Sequence, residues 1–196
     1  MKNNAMYIPV DALKNRQDFD IWYRDGDLAF SFKGKWEKES DKVTIWNRHG
    51  AECGSIRLEP AGKCMYYVKL ERWEYELHTY IIFEDYYFKG MLWDIKGSPS
   101  NPPFDIYSER SEKNEVHVSR TKFKGHGECL EVRVRDVTFL RIAAACVVAM
   151  MMKEEFKGLS EGIETPNLSR ADKIKRFFKK SKQLTYEQVL AGERYV

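Results

Sequence analysis

This chain of 196 residues lacks the short motifs that most often betray an enzyme or a metalloprotein. Its four cysteines, Cys53, Cys64, Cys129 and Cys146, include no C-x-x-C pair, so their spacing offers neither a zinc module nor a thioredoxin-like dithiol. Their expected place is the interior, as small apolar side chains. The four histidines, His49, His78, His117 and His126, have no metal-ligand spacing, and neither a G-x-x-x-x-G-K-S/T nor a G-x-G-x-x-G phosphate loop occurs. No catalytic residue, metal or cofactor is therefore expected. An excess of charge is missing too: 33 Lys+Arg against 30 Asp+Glu leave +3, which does not by itself argue for nucleic acid. No apolar run approaches the roughly 17 to 25 residues of a bilayer span, so no transmembrane segment is expected. Met1 to Met6 carry no apolar run and no small-residue cleavage site, so no signal peptide is expected and the protein reads as cytoplasmic with reduced thiols. Nothing here sets an oligomeric state.

What is present is a globular composition. Hydrophobic residues make up 43% and charged residues 32%, which excludes disorder. The length suits one domain with an appendage. The 11 Phe, 11 Tyr and 5 Trp are the usual stock of β-sheets. Three zones follow one another. From about Met6 to Arg135, short alternating runs are separated by turn signals, as in Leu130-Glu131-Val132-Arg133-Val134-Arg135, whose apolar residues fall on one face. Strands are predicted near Met6–Val10, Phe19–Arg24, Leu28–Lys33, Val43–Asn47, Glu52–Leu58, Met65–Leu70, Tyr75–Phe83, Tyr86–Ile95, Phe104–Glu109, Glu115–Phe123 and Glu128–Arg135. Connections are short, so neighbours in sequence should pair as an antiparallel meander.

A weak repeat runs through this zone. Ile21-Trp22-Tyr23-Arg24-Asp25-Gly26 returns as Ile45-Trp46-Asn47-Arg48-His49-Gly50, with a fainter echo at Ile106-Tyr107-Ser108-Glu109-Arg110. Each reads as a strand entering a tight turn, where Gly supplies a positive φ. Either a hairpin unit recurs or separate hairpins have converged on the same turn chemistry.

The second zone is apolar. Ile142 to Met152 contains no polar group, and its Ala and Met content favours helix. A helix apolar all round must be buried, and this one is too short for a bilayer and closed by Lys153-Glu154-Glu155. A barrel of eleven or twelve strands leaves a bore that side chains lining it do not fill. A central helix at about 137–156, roughly 21 Å over 14 residues, would fill it. The expected fold is mainly β: a closed antiparallel barrel of about 12 strands around a hydrophobic helix over residues 1–158, with a linker and basic helical tail over 159–196.

This order of elements resembles the Tubby C-terminal-like superfamily, which includes Tubby, the phospholipid scramblases and the LURP-one-related proteins. The resemblance covers roughly Met6 to Phe156. It is carried by Val43-Thr44-Ile45-Trp46-Asn47-Arg48-His49-Gly50-Ala51-Glu52-Cys53-Gly54-Ser55-Ile56, similar to the family's strand–turn–strand, and by Phe139 to Met152, similar to its central helix. Asn47 stands where an Asp is common in the family. The resemblance implies non-enzymatic binding, with phosphoinositide binding through basic side chains as the activity of Tubby. No position of this chain matches those basic residues, and the calcium-binding segment of the scramblases is not seen.

Two groups in the first zone have two readings each. His126 and Cys129 could form a thiol–imidazole pair, or merely flank the turn at Gly127. Glu71, Glu74, Glu76, Glu84 and Asp85 could supply an acid–base pair only if the fold split two of them into one pocket; solvated strand faces are the ordinary home of such charges.

The third zone carries the functional lead. Thr165–Val196 holds eight Lys+Arg and three Asp+Glu, leaving a mildly acidic remainder. Ser169 is placed to cap a helix on which Ala171, Ile174, Phe177, Phe178 and Ser181 form one stripe. Lys173, Lys175, Arg176, Lys179, Lys180 and Lys182 crowd the rest. Together with Phe177 and Phe178 they are the expected contact with an anionic membrane surface or an acidic protein partner. Docking of the stripe on the barrel wall is the competing structural reading, and nucleic acid is disfavoured because no base-reading module accompanies the helix. The expectation is a cytoplasmic binding or scaffold protein that binds anionic phospholipid peripherally; the alternative is an interaction or self-association module acting through the basic helix.

Overall fold

The computed structural model describes residues 4–37, 42–58, 66–80, 85–97, 99, 101–108 and 113–153. The basic tail, the linker before it and the proposed boundary at residue 158 lie outside them, as do the predicted strand positions 81–83.

Alternation builds the wall. Strands β1 (Ala5–Pro9), β2 (Phe19–Tyr23), β3 (Leu28–Lys35), β4 (Lys42–Asn47), β5 (Glu52–Leu58) and β6 (Tyr66–Leu70) are followed by β7 (Trp73–Tyr80), β8 (Asp85–Lys89), β9 (Trp93–Lys96), β10 (Phe104–Ser108), β11 (Asn114–Phe123) and β12 (Gly127–Val134). Each pairs antiparallel with its neighbours in sequence, and β1 pairs with β12 from Ala5↔Arg133 to Pro9↔Cys129. The sheet therefore closes as a twelve-stranded barrel and leaves no unpaired edge. Val43 and Ile45 of β4, and Leu130, Val132 and Val134 of β12, are buried, while Arg133 between them is exposed. One face of each strand thus faces a shared core, as the period of two predicts.

The expected single strand Tyr86–Ile95 is divided. β8 ends at Lys89 and β9 starts at Trp93, because Gly90 (φ +98°) and Leu92 (φ +54°) reverse the chain between them. A short helix, α1 (Val10–Lys14), also goes beyond the expected meander; it buries Val10 and Leu13, three residues apart on one face.

The repeated hexapeptides share their geometry. The register slips by a bulge between Ile21 and Trp22, between Ile45 and Trp46, and between Ile106 and Tyr107. In the first copy Tyr23 N donates to Asp27 O and Gly26 N to Tyr23 O; in the second, Asn47 N donates to Ala51 O and Gly50 N to Asn47 O. Gly26 (φ +92°) and Gly50 (φ +75°) hold the left-handed corner. Asn47 Oδ1 also accepts from His49 N at 2.9 Å and Ala51 N at 3.1 Å, a task an Asp could share.

After β12 a single 3₁₀ turn, Val137–Phe139, leads into α2 (Leu140–Lys153). Asp136 starts the turn by accepting from Thr138 N at 2.9 Å. From Ile142 to Met152 every residue of α2 is buried, on all sides of the helix. The helix packs on β1 and β12, which are neighbours, and on β6 and β7, which lie across the strand order from them. Arg141 at its start lies 5.9 Å from the ring of Phe30 and pairs with Glu71. At its end the carbonyl of Met152 accepts from Arg16 Nη2 at 2.8 Å.

Candidate functional site

The expected contact residues Lys173, Lys175, Arg176, Phe177, Phe178, Lys179, Lys180 and Lys182 all lie outside the described residues. What the described residues show is the chemistry of the wall and of its two ends.

His126 and Cys129 do not make a catalytic pair. The Cys129 sulfur faces the backbone carbonyl of His126 at 3.9 Å rather than its ring. That ring stacks on Trp22, with centroids 3.7 Å apart, and on Phe123, which in turn stacks on Tyr7. Burial, helped by the negative charges of Glu128 and Asp11, pushes the Cys129 thiol up to about 11. It is a thiol at neutral pH and so not a nucleophile there. Burial also raises the Cys146 thiol well above its ordinary value, consistent with its place in α2, whereas Cys53 is only half-buried and Cys64 lies outside the described residues.

The acidic residues disperse rather than converge. Glu71 pairs with Arg141, Glu74 with Arg57, and Glu76 with His78 and Lys89. The hydrogen bond with His78, then that from Lys89, holds the Glu76 carboxyl below its ordinary value. Glu84 lies outside the described residues, and the side chain of Asp85 does as well.

Two histidine–carboxylate pairs sit on the wall. His78 Nε2 lies 2.8 Å from Glu76 Oε2, two residues away on the same face of β7. His117 Nδ1 lies 2.7 Å from Asp105 Oδ1 across the β10–β11 ladder, and Asn114 Nδ2 donates to the same oxygen at 2.7 Å. A carboxylate that fixes a ring in this way can orient it as a base. The His117 pair is open to solvent, its side chains 41% and 30% exposed, where a developing charge is better stabilised by water than by the protein. Among the described residues no group of three or more His, Cys, Asp or Glu could hold a metal ion, and no helix is long and apolar enough to cross a membrane.

The end of the barrel where α2 begins holds a different assembly. The turns joining β6 to β7 and β8 to β9 both lie at this end, and Trp93 packs edge-on against Phe139 with ring centroids 5.6 Å apart. Trp73 is 59% exposed and Leu92 36% exposed.

No family model matches the sequence, and no curated protein matches it. Among solved structures, the chain is similar to that of an Arabidopsis thaliana protein, AT5G01750, at 18% identity with a TM-score of 0.52; the match covers 74% of this chain and 88% of that one. At that identity the likeness is one of fold alone.

Proposed function

We propose that the protein is a non-enzymatic binding or scaffold protein of Tubby C-terminal-like fold, with α2 filling the lumen and its ligand contacts made outside the wall. The burial of Ile142 to Met152 on every side carries this reading. The ends of α2 support it. Its first turn touches residues of β3 and the β6–β7 turn, while the Met152 carbonyl in its last turn is held by Arg16, which follows β1 at the opposite end of the barrel. A helix of 14 residues is about 21 Å long, enough to run from one end to the other. A lumen filled by Ala, Val and Met side chains has no place for a substrate and its catalytic groups.

Function then falls to the surface and to the basic segment. Lys173, Lys175, Arg176, Lys179, Lys180 and Lys182 flank Phe177 and Phe178, a composition suited to the anionic face of a cytoplasmic membrane. Each basic residue near such a surface contributes about 1 kcal/mol, so the hold is peripheral and reversible. The test is co-sedimentation of the intact protein with vesicles of phosphatidylcholine, with and without phosphatidylserine. Binding to the anionic vesicles at low salt, lost at high salt and in a Lys179→Gln/Lys180→Gln variant, is the expected result. Equal behaviour toward both vesicles would overturn the lipid reading. Capture of an acidic protein by the wild type and not by that variant would then favour the interaction-module alternative.

A further inference from the structure

The wall closes through β1, whose two ladders are unequal. β1 pairs with β12 over five residues but with β2 over only two, Met6↔Tyr23 and Tyr7↔Trp22. After β1 the chain leaves the sheet through α1. A seam with so few ladder bonds is where local opening costs least. Because α2 packs on β1, parting at that seam reaches the core.

Four rings cross the seam on its outer side. Met6 and Ile8 are fully buried, so by alternation Tyr7 between them points outward, yet it is only 7% exposed. Its cover is Phe123 of β11, stacked with centroids 4.1 Å apart and planes 7° apart. Phe123 lies 5.3 Å from the His126 ring, at 16°, and His126 stacks on Trp22 of β2 at 3.7 Å. Tyr7 and Trp22 are register partners. Both outer side chains of one β1–β2 pair are therefore held by rings of a single hairpin, β11–β12.

The turn of that hairpin is shaped to place His126. Gly125 (φ +84°) and Gly127 (φ +73°) bracket it in left-handed conformations, and His126 N donates to the Phe123 carbonyl at 3.0 Å. A Cβ on either glycine would meet nothing within 4 Å, so the course of the backbone, not crowding, calls for them.

We propose that the β11–β12 tip is a clasp across the β1–β2 seam, and that its undocking is how the wall opens locally. With the tip in place, one column of rings ties β11 and its turn to β1 and β2. With the tip lifted, β1 and β2 are left with their two ladder pairs. Flat stacking of this kind adds to what burial alone supplies and depends on ring geometry.

The experiment is hydrogen exchange on the intact protein, read by mass spectrometry of its peptic fragments. It compares the segments of β1 and β2 with the β4–β5 hairpin, which pairs over five residues. The wild type should exchange faster at the seam than at β4–β5. His126→Ala should speed exchange at the seam about tenfold and leave β4–β5 unchanged. His126→Phe keeps a flat ring and should stay near the wild type. Phe123→Ala, which uncovers Tyr7, should repeat the seam-specific rise. His126 is an exposed turn residue, so its variants should fold, as a thermal melt would verify. Slower exchange at the wild-type seam than at β4–β5 overturns the proposal. So does unchanged exchange in His126→Ala, a rise shared equally by β4–β5, or a His126→Phe variant that opens as fast as the alanine.

Discussion

Arg16 Nη2 donates to the carbonyl oxygen of Met152 at 2.8 Å, joining residues 136 positions apart. The bond ties the chain just after α1 to the last turn of α2, where carbonyls have no partner within the helix and a cation complements the dipole. Arg16 holds φ 51° while doing so. Arg16→Ala loses a charge-assisted bond and keeps the backbone cost, so a loss of about 1.5–3 kcal/mol is expected. Arg16→Gly loses the same bond but relieves the backbone, and should fall between the two. Urea denaturation midpoints in the order wild type, Gly, Ala would support the assignment; an unchanged Ala variant would show the contact to be incidental.

Enclosure of α2 is tested by adding volume. Ala143, Ala144 and Ala145 are fully buried. In a helix walled in on all sides, Ala145→Leu overpacks the core and costs about 1–3 kcal/mol. A helix with one open side would turn the leucine outward at little cost. A leucine scan of the three alanines, read by thermal melting, separates these cases: enclosure requires that all three lower Tm.

The wall was legible because each strand is buried on one face only, so its period shows in sequence, and α2 because an eleven-residue apolar run has no other home in a chain this size. The recurring Ile-Trp pairs coincide with two of the three register slips, but in sequence they read only as strands entering turns. The break between β8 and β9 was not legible, because Met91, Leu92 and Trp93 continue the apolar text through the turn and mask the signal of Lys89-Gly90. Helix α1 spans five residues, too few to display a period. His78 and Glu76, two apart in one strand, were readable as neighbours. His117 with Asp105 depends on register between strands, which composition does not encode.

Two glycines of the wall differ in what they protect. A Cβ on Gly54 would come within 2.5 Å of Leu70 Cδ2 and 2.6 Å of the Lys69 carbonyl, so the adjoining β6 backbone must move. A Cβ on Gly26 meets nothing within 4 Å, and its φ of +92° is the sole obstacle. Gly54→Ala should therefore cost about 2–4 kcal/mol, in the range of severe core overpacking. Gly26→Ala should cost only about 1 kcal/mol of backbone strain. The ratio is the test, measured by denaturant titration of the two variants; a larger loss at Gly26 would mean that β5 and β6 can separate freely at that point.

The thiol of Cys129 links stability to alkaline pH. Its ordinary value of 9.0 applies to the unfolded chain, and burial raises it to about 11 in the fold. Between those values the unfolded chain has released the proton while the folded one still holds it. Unfolding thus gains from each rise in pH, and this contribution to stability is intact below about pH 9 and lost as pH climbs toward 11. Cys129→Ala removes the titrating group, so its stability should fall less steeply over that window than the wild type does. Burial raises both thiols, so exposure separates them: alkylation of the native protein at neutral pH should be slow at the buried Cys129 and faster at the half-buried Cys53. Rapid modification of Cys129 in folded protein would show that the outer wall near β1 and β12 opens far more readily than its burial implies.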